Sequence, residues 1–148
     1  MKKEITISCP EGYEIDKQNS TFEKIVFKKV AGEINSVQDA IEILGESDST
    51  VKQLRLLQSL EGISDKLITE MEIEVVAKAL NDGWKPNWNN ENEYKYFVWW
   101  NMKDNCFDFV SCYCHSANAS SRLCFKSRAL AEKASKILVK QFRNYCNF

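Results

Sequence analysis

The stretch Gly83–Trp100, GWKPNWNNENEYKYFVWW, constrains the fold more than any other. It holds all four tryptophans, Trp84, Trp88, Trp99 and Trp100, and one of the two prolines. Before it, apolar residues recur at helical spacing. After it, they alternate as in strands. The two periods bury different faces, so the segment must be a boundary between a helical middle and a strand-rich end.

The rest of the chain fits around that boundary. At 148 residues it is long enough for one domain. The N-terminal hairpin plus first helix, residues 1–45, and the helix-and-meander remainder, residues 46–148, form its natural parts. A chain of this size buries roughly 68–70% of its extended surface and needs neither metal nor disulfide to fold. With only 5 Gly and 2 Pro it is not a disordered or loop-dominated chain. The net charge of −1 conceals an asymmetry. Residues 1–93 carry 11 Lys+Arg against 18 Asp+Glu, net −7, and residues 94–148 carry 9 against 3, net +6. Such halves can attract each other within the fold or turn a basic face to a partner.

Ile5–Cys9 alternates and predicts a short strand, broken by Pro10-Glu11-Gly12. Tyr13–Asp16 predicts a second, and Phe22, Ile25 and Phe27 lie in a third, so the N-terminus is expected to be a hairpin or small meander. Ser36, with Asp39 three residues on, starts a helix that Gly45 stops. Val51, Leu54, Leu56, Leu57 and Leu60 stripe a second helix, and Gly62 ends it. Ser64 caps a third, with Leu67, Ile68, Met71, Ile73, Val75, Val76 and Leu80 inward and Asn81-Asp82-Gly83 at its close. In Tyr94–Lys103, Tyr96, Val98, Trp100 and Met102 share one face, and Lys95, Phe97, Trp99 and Asn101 the other. Aromatics on both faces suggest an interior or covered strand. Asp104-Asn105 turns into a strand from Cys106. Asn118–Ser121 turns again into a short strand, Arg122–Lys126. Ser127 caps a long last helix, to about Tyr145. It buries Leu130, Ala134, Ile137, Leu138, Phe142 and Tyr145 and exposes Lys133, Lys136, Lys140 and Arg143. The expected class is α+β: an N-terminal β-hairpin, central helices, and a C-terminal antiparallel β-meander closed by a long amphipathic helix.

The six cysteines are Cys9, Cys106, Cys112, Cys114, Cys124 and Cys146. MKKEITISCPEGYE lacks the apolar core of a signal peptide, and the longest uncharged apolar run, YFVWW, is far short of the ~20 residues that span a bilayer. The expectation is a cytoplasmic protein without a membrane partner, its thiols reduced and mostly buried. Cys112-Tyr113-Cys114-His115 resembles a ligand run, but on a strand Cys112 and Cys114 stand ~6.5–7 Å apart. Zinc–sulfur bonds of ~2.3 Å need sulfurs under ~4 Å apart, and His115 faces the other way. Neither metal nor cofactor is expected; a bridge from Cys112 or Cys114 to Cys124 is a minor alternative on oxidation. A thiol nucleophile needs a base in reach. His115 is the single histidine and points away from Cys114, and no phosphate loop or hydrolase motif occurs, so no enzyme is expected.

Two surfaces remain as candidates. Trp84, Trp88 and Trp99 can stack on a partner, the ordinary alternative being that they cover the sheet as a second core. Arg122, Lys126 and Arg128, continued by the basic helix face, can meet nucleic acid, the ordinary alternative being a solvated helix; the near-neutral total charge weakens the nucleic-acid reading. EGYEIDKQNSTFEKIVFKK, ALNDGWKPNWNNENEYKYFVWW and SRLCFKSRALAEKASK resemble modules of small uncharacterised proteins from Bacteroides-type gut bacteria and their prophages or other mobile elements. That resemblance covers the first thirty residues and most of the region after Ala79. It implies a cytoplasmic accessory protein, phage-derived, and carries no catalytic or binding residue with it. The expected function is a non-enzymatic interaction protein with another protein as partner, and nucleic-acid binding through the last helix is the alternative.

Overall fold

Tyr13–Ile15 (β1) and Phe27–Lys29 (β2) pair antiparallel, with Tyr13 opposite Lys29 and Ile15 opposite Phe27. They belong to a compact unit of residues 1–33, and residues 34–148 form a second. The computed structural model describes residues 7–10, 13–15, 20–29, 34–104, 106–113 and 123–146; for residues 28, 29, 109, 110, 113 and 146 it describes the backbone alone. Within the first unit, Ile7–Cys9 is not in a strand, and Ile5 and Thr6 lie outside the described residues. Ser20 closes the β1–β2 connection on its far side. Its hydroxyl donates to the Val26 carbonyl at 3.2 Å and accepts from the Val26 N–H at 3.0 Å.

The second unit is α+β. Its helices are Val37–Leu44 (α1), Ser49–Ser59 (α2), Asp65–Asn81 (α3), Arg128–Ile137 (α4) and Val139–Cys146 (α5), with strands Lys95–Asn101 (β3) and Cys106–Tyr113 (β4). α1 packs on α3, so the first helix belongs with this unit rather than with the hairpin.

Each predicted serine N-cap is in place, while α2 is capped at Leu60, two residues before the expected stop at Gly62. Ser36 Oγ accepts from the Asp39 N–H at 3.1 Å, and the Asp39 carboxylate reaches back to the Asn35 N–H at 2.9 Å. The Asn35 amide, foremost, with the Ser36 hydroxyl and amide, holds the Asp39 carboxyl below its usual range. Ser64 and Ser127 accept from the Lys66 and Leu130 N–H groups. The cap of α2 is Asp48, inside a run that reads in sequence as a polar linker, and α2 accordingly starts at Ser49. Asp82 (φ 45) and Gly83 (φ 77) adopt the left-handed conformation that stops α3.

α3 is the hub, since α1, α2, α4 and α5 all pack on it. Val75, Val76, Ala77, Ala79 and Leu80 are all buried, so this helix is apolar most of the way round and shows little one-sided stripe. Ala77 and Ala79 let its neighbours approach closely. Ile41 from α1, Val51 and Leu54 from α2, and Ala131, Ala134 and Leu138 from the last helices complete the core. Leu56, Leu60 and Leu67, expected inward, are exposed; α2 buries Thr50, Val51 and Leu54 instead. The last helix is two. Leu138 (φ −98, ψ 14) ends α4, and α5 restarts with Phe142 N–H donating to the Leu138 carbonyl at 2.9 Å. Tyr145, expected inward, is exposed.

The sheet departs from a meander. β3 pairs with β4, with Tyr96 opposite Cys112 and an irregularity between Val98 and Trp100. The segment around Phe125 pairs with β3, not β4: Tyr96 N–H donates to the Phe125 carbonyl at 3.1 Å and the Phe125 N–H returns to Tyr96 at 2.9 Å. The third segment is a single bridge, and β3 lies between its two neighbours. Tyr96, Val98 and Phe125 join the core, and Trp100 packs edge-on against Phe107 (4.9 Å) and stacks with Phe142 of α5 (6.3 Å). Met102, expected on that face, is exposed, because the strand ends at Asn101. The Asn101 Oδ1 accepts from the Lys103 and Asp104 N–H groups, which turns the chain back.

Candidate functional site

The loop between α3 and β3 is built by asparagines. Asn87 Oδ1 accepts from the Asn89 N–H at 3.0 Å, and Asn90 Oδ1 from the Asn92 N–H at 3.0 Å. These are two Asx-type turns in succession, which the short amide side chain favours. Glu93 gathers both ends of the loop. Its Oε1 accepts from the Asn87 N–H at 2.7 Å, and the nearby Trp84 side chain also favours its charged form. The Asn87 amide, foremost, with Lys95 and Trp84, holds the Glu93 carboxyl below its usual range.

At the centre sits Lys95, whose residue is 0% exposed. Its Nζ donates to the carbonyls of Glu93 (2.7 Å) and Asn90 (3.1 Å), and the Glu93 carboxylate lies 3.4 Å away. The Trp88 ring completes the shell, 5.3 Å from Nζ to centroid. Of the three donors of the ammonium, two go to these carbonyls, and the Glu93 carboxylate balances its charge. The strand alternation puts Lys95 on the face opposite Tyr96, and the loop closes over its ammonium. Sequence reasoning missed this buried cation; a lysine amid five aromatics within seven residues is its one trace in the sequence, and it names no partner.

The tryptophans therefore divide. Trp100 is half-buried in the aromatic cluster. Trp84 is half-buried. Trp88 (37% exposed) and Trp99 (45%) reach the surface, Trp99 on the face of β3 opposite the helices and Trp88 over the Lys95 end of it. Lys126 and Arg128 are exposed, and Arg122 lies outside the described residues.

Trp84 also walls a groove of about 280 Å³ with Thr50, Lys78, Asn81, Pro86 and Cys124. Several of its polar groups are engaged internally. Lys78 Nζ donates to both Asp48 oxygens (2.8 and 2.7 Å) and to Thr50 Oγ1 (3.0 Å). Burial pushes the Asp48 carboxyl up, but Lys78 and the Thr50 and Val51 amides outweigh it, and the group titrates below its usual range. Asn81 uses both ends of its amide as a substitute strand. Nδ2 donates to the Cys124 carbonyl at 2.9 Å, and Oδ1 accepts from the Lys126 N–H at 3.0 Å. That satisfies the outer edge of the Phe125 segment, which no strand covers among the described residues. A second concavity, about 180 Å³, is apolar and lined by Ile73, Phe97, Val98, Phe125, Phe142 and Tyr145 among others.

The thiols differ from expectation. Cys124 is buried, and burial pushes its thiol up to about 11, while Cys9 and Cys106 are exposed and Cys112 half-buried. Cys112 and Cys124 flank β3 from opposite sides. Two strand spacings, roughly 9–10 Å, separate their backbones, which is beyond disulfide reach. Cys114 and His115 lie outside the described residues. No group of three metal-capable side chains occurs among the described residues. No helix among them is long and apolar enough to cross a membrane.

Comparison with protein-family models, with curated proteins and with solved structures finds no match to this chain.

Proposed function

We propose that this is a non-enzymatic interaction protein whose partner is another protein, docking on Trp88, Trp99 and the neighbouring Tyr94. The observation that carries the reading is the Lys95 clasp. It holds large aromatic side chains at the surface on a loop whose backbone is already ordered, so little conformational freedom is lost on binding. Tryptophan and tyrosine dominate the energetics of such contacts because one rigid ring covers much area. Tyr94 (54% exposed) sits 6.3 Å from the Tyr96 ring, which places it at the same end of β3 as Trp88. The resemblance of its modules to small uncharacterised proteins of gut bacteria and their prophages supports a cytoplasmic, phage-derived accessory role.

The test is capture from cytoplasm with wild type, Trp88→Ala and Trp99→Ala. Circular dichroism and melting confirm that each variant is folded. The reading expects both folded variants to lose the captured protein. Equal capture by all three overturns it, and so does unfolding of both variants, which makes the rings core.

A further inference from the structure

We infer that the solvent face of α4–α5 is a second, separate binding surface that takes the phosphate backbone of nucleic acid without reading its sequence. This rests on the basic helix and not on the aromatic loop. Arg128, Lys136, Lys140 and Arg143 are exposed and Lys133 is half-buried. At 100° per residue Lys133, Lys136, Lys140 and Arg143 fall on the side of the helices away from Ala131, Ala134 and Leu138, which are wholly buried in the core, and Arg128 lies at the flank of that side. Among the described residues, none of the five is ion-paired. Glu132 is the single carboxylate on that face.

The span from Arg128 to Arg143 is roughly 22 Å at 1.5 Å per residue, bent once at Leu138. Roughly six phosphates of one duplex strand pass along such a length at about 3.4 Å each. Other anionic partners fit less well. Amphipathic membrane binding needs the apolar side of the helix, and here that side is spent on the core. A protein interface needs large apolar residues at its centre, and this face offers Val139 and small residues. Gln141, a side chain suited to reading a base, is instead bonded to Glu72 of α3 at 3.0 Å. Trp99 lies across the sheet from these helices, so stacking and phosphate contact do not share one groove. The chain is thereby built to join a protein on one side to nucleic acid on the other.

The experiment is fluorescence anisotropy with a fluorescein-labelled mixed-sequence oligonucleotide, single-stranded and duplex, over a salt series. Five contacts predict that duplex affinity falls on the order of 500-fold between about 50 and 200 mM salt. The variant Lys136→Gln/Lys140→Gln/Arg143→Gln, at exposed positions, is expected to lower the log–log slope by about three units. Glu132→Gln is expected to tighten binding several-fold, a gain that misfolding does not imitate. Trp88→Ala is expected to bind the oligonucleotide like wild type, so loss of the protein partner and loss of this site are read apart. No binding at the lowest salt overturns the proposal, as does an unchanged slope in the triple variant. Retention on phosphatidylserine-containing vesicles with none on the oligonucleotide also overturns it.

Discussion

Replacing Lys95 with Met keeps the length of the side chain and removes its charge, which isolates the role of the clasp. The Asn90 and Glu93 carbonyls, at 3.1 and 2.7 Å from Nζ, then lose their donor in a pocket where Lys95 is wholly shielded from water. A hydrogen bond to a charged donor contributes about 1.5–3 kcal/mol, and such terms do not add fully. The Glu93 ion pair at 3.4 Å adds little, because the Glu93 side chain is 26% exposed and water replaces the ammonium there. The expected loss is therefore about 3 kcal/mol, a sizeable share of the ~5–15 kcal/mol that holds a domain folded. For a chain of this size that lowers Tm by roughly 6–12 °C. Urea unfolding followed by tryptophan fluorescence measures it, and acrylamide quenching of the native state reports the freed Trp88. A loss under about 1 kcal/mol with unchanged quenching would refute the argument, because it would mean that water already satisfies those carbonyls.

Four further outcomes follow from the same geometry. Asn81→Ala strips the Cys124 carbonyl and the Lys126 N–H of their partner, so it is expected to cost about 2–4 kcal/mol and to speed hydrogen exchange at the Lys126 amide; unchanged exchange there counts against the edge-capping role. Asp48 titrates lower in the folded chain than unfolded, so the native state binds fewer protons and its contribution, present above the ordinary carboxyl range, is lost as pH falls through it. Asp48→Asn is expected to lower stability at neutral pH and to flatten the acid limb of a pH–stability curve measured by urea unfolding. Cys124 has the opposite sign: folding raises its thiol from 9.0 to about 11, so stability declines as pH climbs from about 9 to 11, and Cys124→Ala removes that decline. At neutral pH iodoacetamide is expected to label Cys9 and Cys106 well before Cys124.

Local chemistry was legible residue by residue. Ser36, Ser64 and Ser127 cap helices because a hydroxyl three or so residues ahead of an apolar stripe meets free amides in any context. Gly83 and Asp82 stop α3 for an equally local reason. Lys95 and Asn81 were not legible, because their partners are backbone atoms brought together only by the fold. The same holds for the exposed Leu56, Leu60 and Leu67, which stand at plausible helical spacing and find nothing to pack against.

The Gly83–Trp100 stretch shows where the division falls. Sequence alone determined that helices give way to strands there, that Tyr96, Val98 and Trp100 share the inward face, and that the charge of the chain changes sign across it, since all of these depend on spacing and composition. Tertiary structure decided that Phe125 joins β3 on the side away from β4. It decided that the loop closes on a buried ammonium, and which tryptophans remain at the surface. Those outcomes turn on long-range pairing and on satisfying every buried donor and acceptor, conditions that a one-dimensional pattern does not contain.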